Sequence, residues 1–94
     1  MESQVEERTS PPVTPALLTA AKSRAPLAPL QEGRQLYTAR CTECHDLELL
    51  DSRSPTGWEK AVASMAGRAH LSDAQQARIV EYLAVAWQSL DSAP

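Results

Sequence analysis

Apolar residues recur at helical spacing in three segments of the chain, all of them after residue 29. The first segment, residues 30–41 (LQEGRQLYTARC), repeats its apolar positions every three to four residues, which predicts an amphipathic helix. Gly33 lies inside this helix, where glycine costs about 1 kcal/mol relative to alanine. Its presence there predicts that another helix backbone passes close by.

The second segment starts near Ser54, and Thr56 followed by Glu59 has the spacing of a capping box. Gly67 is expected to end this helix or to loosen its last turn. The apolar residues lie on one face, which consists of Trp58, Ala61, Val62, Met65 and Ala69. The pattern therefore predicts a second amphipathic helix that buries this face.

The third segment begins with another capping-box pattern, Ser72 with Gln75, and Asp73 suits the positive first turn of a helix. Its apolar face consists of Ile79, Leu83, Ala86, Trp87 and Leu90. No part of the chain alternates between apolar and polar residues for long enough to predict a strand. We therefore expect an all-α domain with three main helices and no internal repeat.

The first 29 residues have a different composition. Five of the seven prolines fall there, among serine, threonine, alanine and charged residues. A segment so poor in large apolar residues is not expected to offset the entropy cost of ordering it. We interpret residues 1–29 as an arm or linker, at most with a short helix capped by Thr14 and beginning at Pro15. Residues 30–94 are expected to form the packed domain.

Charge and hydropathy exclude several classes of protein. The formal net charge is −3, and residues 30–94 carry all of it because the charges of residues 1–29 cancel. The chain has no cluster of lysine and arginine of the kind that nucleic acid requires. No apolar run approaches the length of a membrane span, and the N-terminal sequence MESQVEER lacks the apolar region of a signal peptide. Neither nucleic acid nor a transmembrane segment is expected.

The candidate chemistry lies in RCTECHDL, which contains both cysteines of the chain and one of its two histidines. A tetrahedral zinc site would need Cys41, Cys44, His45 and His70, and the usual zinc spacings avoid two adjacent ligands. A redox-active Cys-x-x-Cys pair is typical of a βαβ unit, which is not predicted. A structural disulfide across so short a loop would stabilise the fold little.

The same spacing, Cys-x-x-Cys-His, is the signature of covalent haem attachment. One helical turn directs Cys41 and Cys44 to the same side, toward the two vinyl groups of a haem, and His45 follows as an iron ligand. A domain of this length rarely builds a sufficient core alone, and the chain has no Phe, two Trp and two Tyr. A haem would supply the missing apolar centre, so we favour this interpretation.

Two segments resemble class I c-type cytochromes. EGRQLYTARCTECH resembles their N-terminal helix and haem motif, and IVEYLA resembles part of their C-terminal helix. Residues 30–90 are similar to the short monohaem domains that accompany or are fused to periplasmic dehydrogenases. The resemblance implies a small bundle of three main helices around one covalent haem c, with Gly33 and Tyr37 packed against Tyr82 and Leu83. The chain departs from the family in one respect, because it lacks the usual glycine-rich loop after the motif.

The resemblance also implies further residues around the haem. Met65 is expected as the sixth iron ligand, with His70 or an open position as alternatives. A carbonyl should accept the free N–H of His45, for which Pro55 is the proline available, although Ser54 or Thr56 could serve. Trp58 could donate its N–H to a haem propionate or simply pack in the core.

The function implied is outer-sphere electron transfer, without a catalytic acid–base pair. Such a carrier would shuttle single electrons between a dehydrogenase-type donor and an oxidase or another cytochrome, outside the cytoplasm and most typically in a periplasm. Two alternatives remain: a haem-based sensor with a displaceable sixth ligand, and a haem-free thiol oxidoreductase. The acidic residues around the motif are interpreted as a solvated face and not as a catalytic site, with the further hypothesis that they steer a basic partner; they are Glu43, Asp46, Glu48 and Asp51.

Overall fold

A computed structural model of the chain describes residues 8–40, 49–67 and 70–91. The regular secondary structure in these ranges is helical, and none of it is a strand. In chain order the elements are α1 (Pro15–Ala21), α2 (Leu27–Arg40), a short 3₁₀ turn (Leu50–Ser52), α3 (Pro55–Ala66) and α4 (Asp73–Asp91). The prediction of an all-α fold is confirmed for this part of the chain. The C-terminal helix α4 is the centre of the fold, because α1, α2 and α3 all pack on it.

The crossing of α2 and α4 explains the glycine in the middle of α2. A methyl group built at Gly33 would meet the carbonyl group of Arg78 and would lie 2.9 Å from Cβ of Tyr82. The ring of Tyr37, one turn further along α2, lies 6.3 Å from the ring of Tyr82. The predicted close approach at Gly33 is therefore confirmed, and Leu83 is buried in the same core.

The start of α3 differs from its prediction. Ser54, not Thr56, is the N-cap, and its hydroxyl accepts a hydrogen bond of 3.1 Å from the backbone N–H of Gly57. The reason is Pro55, which occupies the first helical position, where its fixed φ and missing N–H are tolerated. The predicted capping box of Thr56 and Glu59 is therefore wrong, and the N-cap lies two residues earlier in the sequence. The predicted end of α3 is confirmed, because the helix stops at Ala66 and Gly67 is its C-cap residue.

The start of α4 has the predicted capping box. The hydroxyl of Ser72 accepts from the N–H of Gln75 at 3.1 Å, and the side-chain oxygen of Gln75 accepts from the N–H of Ser72 at 2.9 Å. Asp73 lies in the first turn, where the helix dipole favours a negative charge. Both reciprocal bonds of the box are therefore present.

The N-terminal segment lies on the bundle. Thr14 caps α1 as predicted, accepting from the N–H of Leu17 at 3.2 Å, with Pro15 at the start of the helix. Val13, Leu17 and Ala21 are each less than a tenth exposed and belong to the hydrophobic core. In addition, α2 begins at Leu27, so the boundary expected between residues 29 and 30 falls inside a helix.

The core is larger than the sequence suggested, because three buried side chains before residue 29, those of Val13, Leu17 and Ala21, contribute to it. Its fully buried large side chains come from α2, the 3₁₀ turn, α3 and α4, and they are Leu30, Tyr37, Leu50, Val62, Ile79, Tyr82 and Leu83. The size of the core is therefore not by itself an argument for an inserted cofactor. Across the described ranges, none of the helices has the length and hydropathy needed to cross a membrane.

Candidate functional site

The motif Cys41, Cys44 and His45 lies outside the described residues, so the site is defined by the elements on either side of it. The chain enters the motif from Arg40, the last residue of α2, and leaves it at Leu49, directly before the 3₁₀ turn. Helix α3 follows within a few residues. In the sequence, the cysteines thus fall between the end of α2 and the 3₁₀ turn.

On the upstream side, Tyr37 anchors the last turn of α2 to the core. Its side chain is 2% exposed and lies one helical turn before Cys41 in the sequence. The rings of Tyr37 and Trp58 meet edge to face, with centroids 6.1 Å apart and planes at 89°. This geometry is favourable for aromatic pairs and fixes the end of α2 relative to the first turn of α3.

On the downstream side, two tryptophans hold the chain as it leaves the motif. The indole N–H of Trp58 donates to the carbonyl of Leu50 at 2.8 Å, in a buried hydrogen bond. The indole N–H of Trp87 on α4 donates to the carbonyl of Arg53 at 2.9 Å. The guanidinium of Arg53 in turn lies 5.7 Å from the centre of the Trp58 ring, within the range of a cation–π contact. We call Leu50, Arg53, Trp58 and Trp87 the tryptophan clamp.

The tryptophan clamp bears on the two roles expected for Trp58. Its ring is 3% exposed and packs in the core, and its N–H donates to the carbonyl of Leu50. The packing role is therefore observed, and a bond from Trp58 to a haem propionate stays a prediction. Pro55 is the exposed first residue of α3, and whether its carbonyl accepts from His45 is a question that lies outside the described residues.

The two candidate sixth ligands lie in different environments. Met65 is partly buried on α3 and packs against the hydrophobic core. It follows Trp58 by seven residues, so both side chains share one face of the helix. His70 is exposed and has a backbone φ of 56°, in the left-handed region between α3 and α4. Of the two, Met65 is the one that the fold directs inward.

Helices α2 and α3 lie on either side of the motif in the sequence. In the described part of the chain both helices pack on α4, and the Tyr37–Trp58 ring pair joins them to each other. Two cysteines, a histidine and an inward methionine are the residue types that the predicted haem would need.

The tryptophan clamp was only partly anticipated by the sequence. The sequence predicts Trp87 on the apolar face of α4, and no sequence pattern assigns a role to Arg53. The signal that could have found the clamp is the indole N–H, which needs an acceptor wherever the ring is packed. The identity of that acceptor depends on tertiary structure, because Trp87 and Arg53 are 34 residues apart.

No group of three or more His, Cys, Asp or Glu side chains that could hold a metal ion occurs among the residues described. Comparison of the chain with protein-family models, with curated protein sequences and with solved structures gives no significant match.

Proposed function

We propose that this chain is a monohaem c-type cytochrome that carries single electrons and is not itself an enzyme. The observation that carries the proposal is the Cys-x-x-Cys-His motif, which follows directly in the sequence after a helix that crosses the C-terminal helix at Gly33. The motif alone is a short pattern. Its position directly after α2, with a second helix presenting an inward methionine, supports the haem interpretation over a zinc or disulfide site.

Each residue of the site has a defined role in this proposal. Cys41 and Cys44 would hold the haem through thioether bonds, and His45 and Met65 would bind its iron. When bound, the haem supplies a one-electron couple at its iron, and a methionine sulfur favours the reduced form and raises the potential. Tyr37 and the tryptophan clamp fix the end of α2 and the segment from Leu50 to Arg53, the elements before and after the motif, which would restrain the ligands between them.

The partners follow from the function. A carrier of this kind accepts an electron from a dehydrogenase-type donor and passes it to an oxidase or another cytochrome. Covalent haem attachment takes place outside the cytoplasm in the family that the motif resembles, so we place this protein in the periplasm or another extracytoplasmic compartment. Electron transfer at a haem edge needs no substrate site.

The test is the mass and the absorption spectrum of the protein produced in a host with a cytochrome c maturation system. We expect a mass equal to the chain plus one haem, and a reduced spectrum typical of two thioether bonds. The matched control, Cys41→Ala with Cys44→Ala, should carry no covalent haem. A colourless protein with the mass of the bare chain would refute the proposal and favour a thiol oxidoreductase.

A further inference from the structure

A groove lies between the start of α2 and the C-terminal half of α4, at the end of α2 that is remote from the motif in the sequence. The two helices touch where Gly33 meets the backbone of Arg78, and crossed helices diverge on either side of such a contact. The space between them has a volume of about 470 Å³. We call it the α2–α4 groove.

The α2 wall of the groove consists of short side chains, which is why the groove stays open. Ala25, Pro26 and Pro29 line this wall, and none of them has a side chain long enough to fill the space. Leu30 is only 2% exposed and forms part of the floor. The surface that a partner would meet on this side is therefore apolar.

The α4 wall gives the groove its length. Residues at intervals of three, four and three positions line it on one face of the helix, and they are Arg78, Glu81, Val85 and Gln88. From the first to the last they span about 15 Å of the helix axis. Val85 is 8% exposed, whereas Glu81 and Gln88 are exposed, so an apolar floor lies below a polar edge.

This shape suits a helical segment of another protein better than a small molecule or an extended peptide. A small-molecule site usually encloses most of its ligand, whereas the α2–α4 groove is open to solvent on one side. An extended peptide needs free backbone groups as partners, and residues 78–88 lie within α4, whose backbone groups bond inside the helix. An amphipathic helix needs only an elongated apolar surface for side chains that recur every three to four residues.

The charges at the edge of the groove favour a basic partner. Nη1 of Arg78 lies 3.2 Å from Oε2 of Glu81, and its Nε lies 3.6 Å from Oε1 of Glu32. An anionic partner would have to compete with these two carboxylates for Arg78, whereas a cation can approach Glu81 directly. Arg24, which precedes the α2 wall in the sequence, does not line the groove. The net charge of −3 acts in the same direction, and such exposed charges affect specificity and association rate more than affinity.

We propose that the α2–α4 groove docks an amphipathic helix of a partner protein, which inserts large apolar side chains into the groove and places a lysine or arginine beside Glu81. The motif follows Arg40, about 15 Å along α2 from Leu30. A partner held in the groove would therefore not compete with a redox partner at the motif. This last consequence rests on the proposed function, whereas the docking itself does not.

The experiment selects helix-forming peptides of about 14 residues, roughly four helical turns, from a display library against the full-length chain. We expect the selected peptides to share large apolar residues at spacings of three and four and to carry lysine or arginine. Fluorescence anisotropy then measures the affinity of the synthesised peptides. Ala84→Trp fills the groove and should weaken binding at least about tenfold, whereas Ala84→Ser, the matched control, should bind within about twofold of the unmodified chain.

A pair of charge reversals keeps the test decisive if Ala84→Trp does not fold, which circular dichroism of each variant shows. Glu81→Lys places a positive charge at the edge of the groove and should weaken binding about three- to fivefold. Glu59→Lys makes the same change in net charge at an exposed position of α3 that does not line the groove. It should alter binding by less than about twofold.

The proposal fails if no peptide is enriched over selection on an unrelated protein, if the enriched peptides are acidic, or if the two members of a variant pair bind alike. It also fails if the chain self-associates and Ala84→Trp abolishes this association, because the groove would then be an interface between two copies of the chain. A chain that attaches no haem would refute the proposed function and leave the peptide measurements unaffected.

Discussion

At the residue scale, the two tryptophans of the clamp show how burial changes the contribution of an indole–carbonyl hydrogen bond to the free energy of unfolding. Trp58 and Trp87 both donate to a carbonyl at the exit of the motif, at 2.8 and 2.9 Å. The bond of Trp58 is buried, while that of Trp87 is exposed to solvent. A buried acceptor that loses its donor cannot turn to water, so its loss costs more free energy.

We therefore expect Trp58→Phe to lower the free energy of unfolding by about 2 kcal/mol, since Leu50 would keep an unsatisfied buried carbonyl and the ring would be smaller. Trp87→Phe, the control, should cost less than about 1 kcal/mol because water can replace its donor at Arg53. Urea denaturation of the purified proteins measures both. Equal losses would show that burial does not distinguish the two bonds.

Met65 is partly buried and His70 is exposed, so we expect Met65 to be the sixth iron ligand. In Met65→Ala we expect the reduced protein to bind carbon monoxide promptly at neutral pH and the weak methionine-to-iron band of the oxidised protein to disappear. In His70→Ala, the control, both properties should match the unmodified protein, because His70 is exposed in a left-handed turn. The opposite pattern would assign the ligand to His70, and ready binding by the unmodified protein would favour a sensor.

At the element scale, glycine has two different roles in this chain. Gly33 is needed because α4 passes so close that a methyl group would contact the backbone of Arg78. Gly67 ends α3 with ordinary right-handed angles, φ −64° and ψ −41°, and a methyl group there would meet nothing within 4 Å. Helix packing therefore requires a glycine at residue 33. At residue 67 a larger side chain would fit without a steric clash.

Gly33→Ala should therefore lower the free energy of unfolding by about 3 kcal/mol, because α2 and α4 would have to separate against backbone rather than a flexible side chain. Gly67→Ala should be neutral or stabilise the fold by up to about 1 kcal/mol, since alanine restricts the unfolded chain. Thermal or urea unfolding of both variants tests the pair. A tolerated alanine at residue 33 would contradict the crossing.

At the scale of the whole molecule, the charge distribution bears on the choice of partner. The net charge is −3, and four carboxylates lie in or beside the segment that carries the cysteines, namely Glu43, Asp46, Glu48 and Asp51. Asp51, in the 3₁₀ turn, is exposed in the structure. A group of negatively charged side chains attracts a positively charged surface over a distance that the ionic strength determines.

If the chain is an electron carrier, its reaction with a basic redox protein should slow as salt is raised from about 10 mM to about 0.5 M, where the screening length falls several-fold. Stopped-flow absorbance at the haem band measures this rate. An uncharged small reductant serves as the control and should react at nearly the same rate throughout. A protein–protein rate indifferent to ionic strength would count against steering by the acidic residues.

Local physics made much of this fold predictable from the sequence. The capping box at Ser72, the cap at Thr14, the end of α3 at Gly67 and the close approach at Gly33 all depend on neighbours within one or two turns or on the absence of a side chain. Pro55 indicates a cap at Ser54 in the same way that Pro15 indicates a cap at Thr14, because proline suits the first position of a helix. The Cys-x-x-Cys-His pattern likewise belongs to the sequence alone, and so does the interpretation that rests on it.

Only the tertiary structure decided where the N-terminal segment lies and what the indole groups bind. Composition describes how costly residues 9–21 are to order, but not that Tyr82 offers a buried donor to Pro11 or that α4 leaves an apolar surface for Leu17. The partners in these contacts are dozens of residues apart, and their free energy appears only when the helices between them have packed. For the same reason, the carbonyls of Leu50 and Arg53 could not be assigned as acceptors before the fold was known.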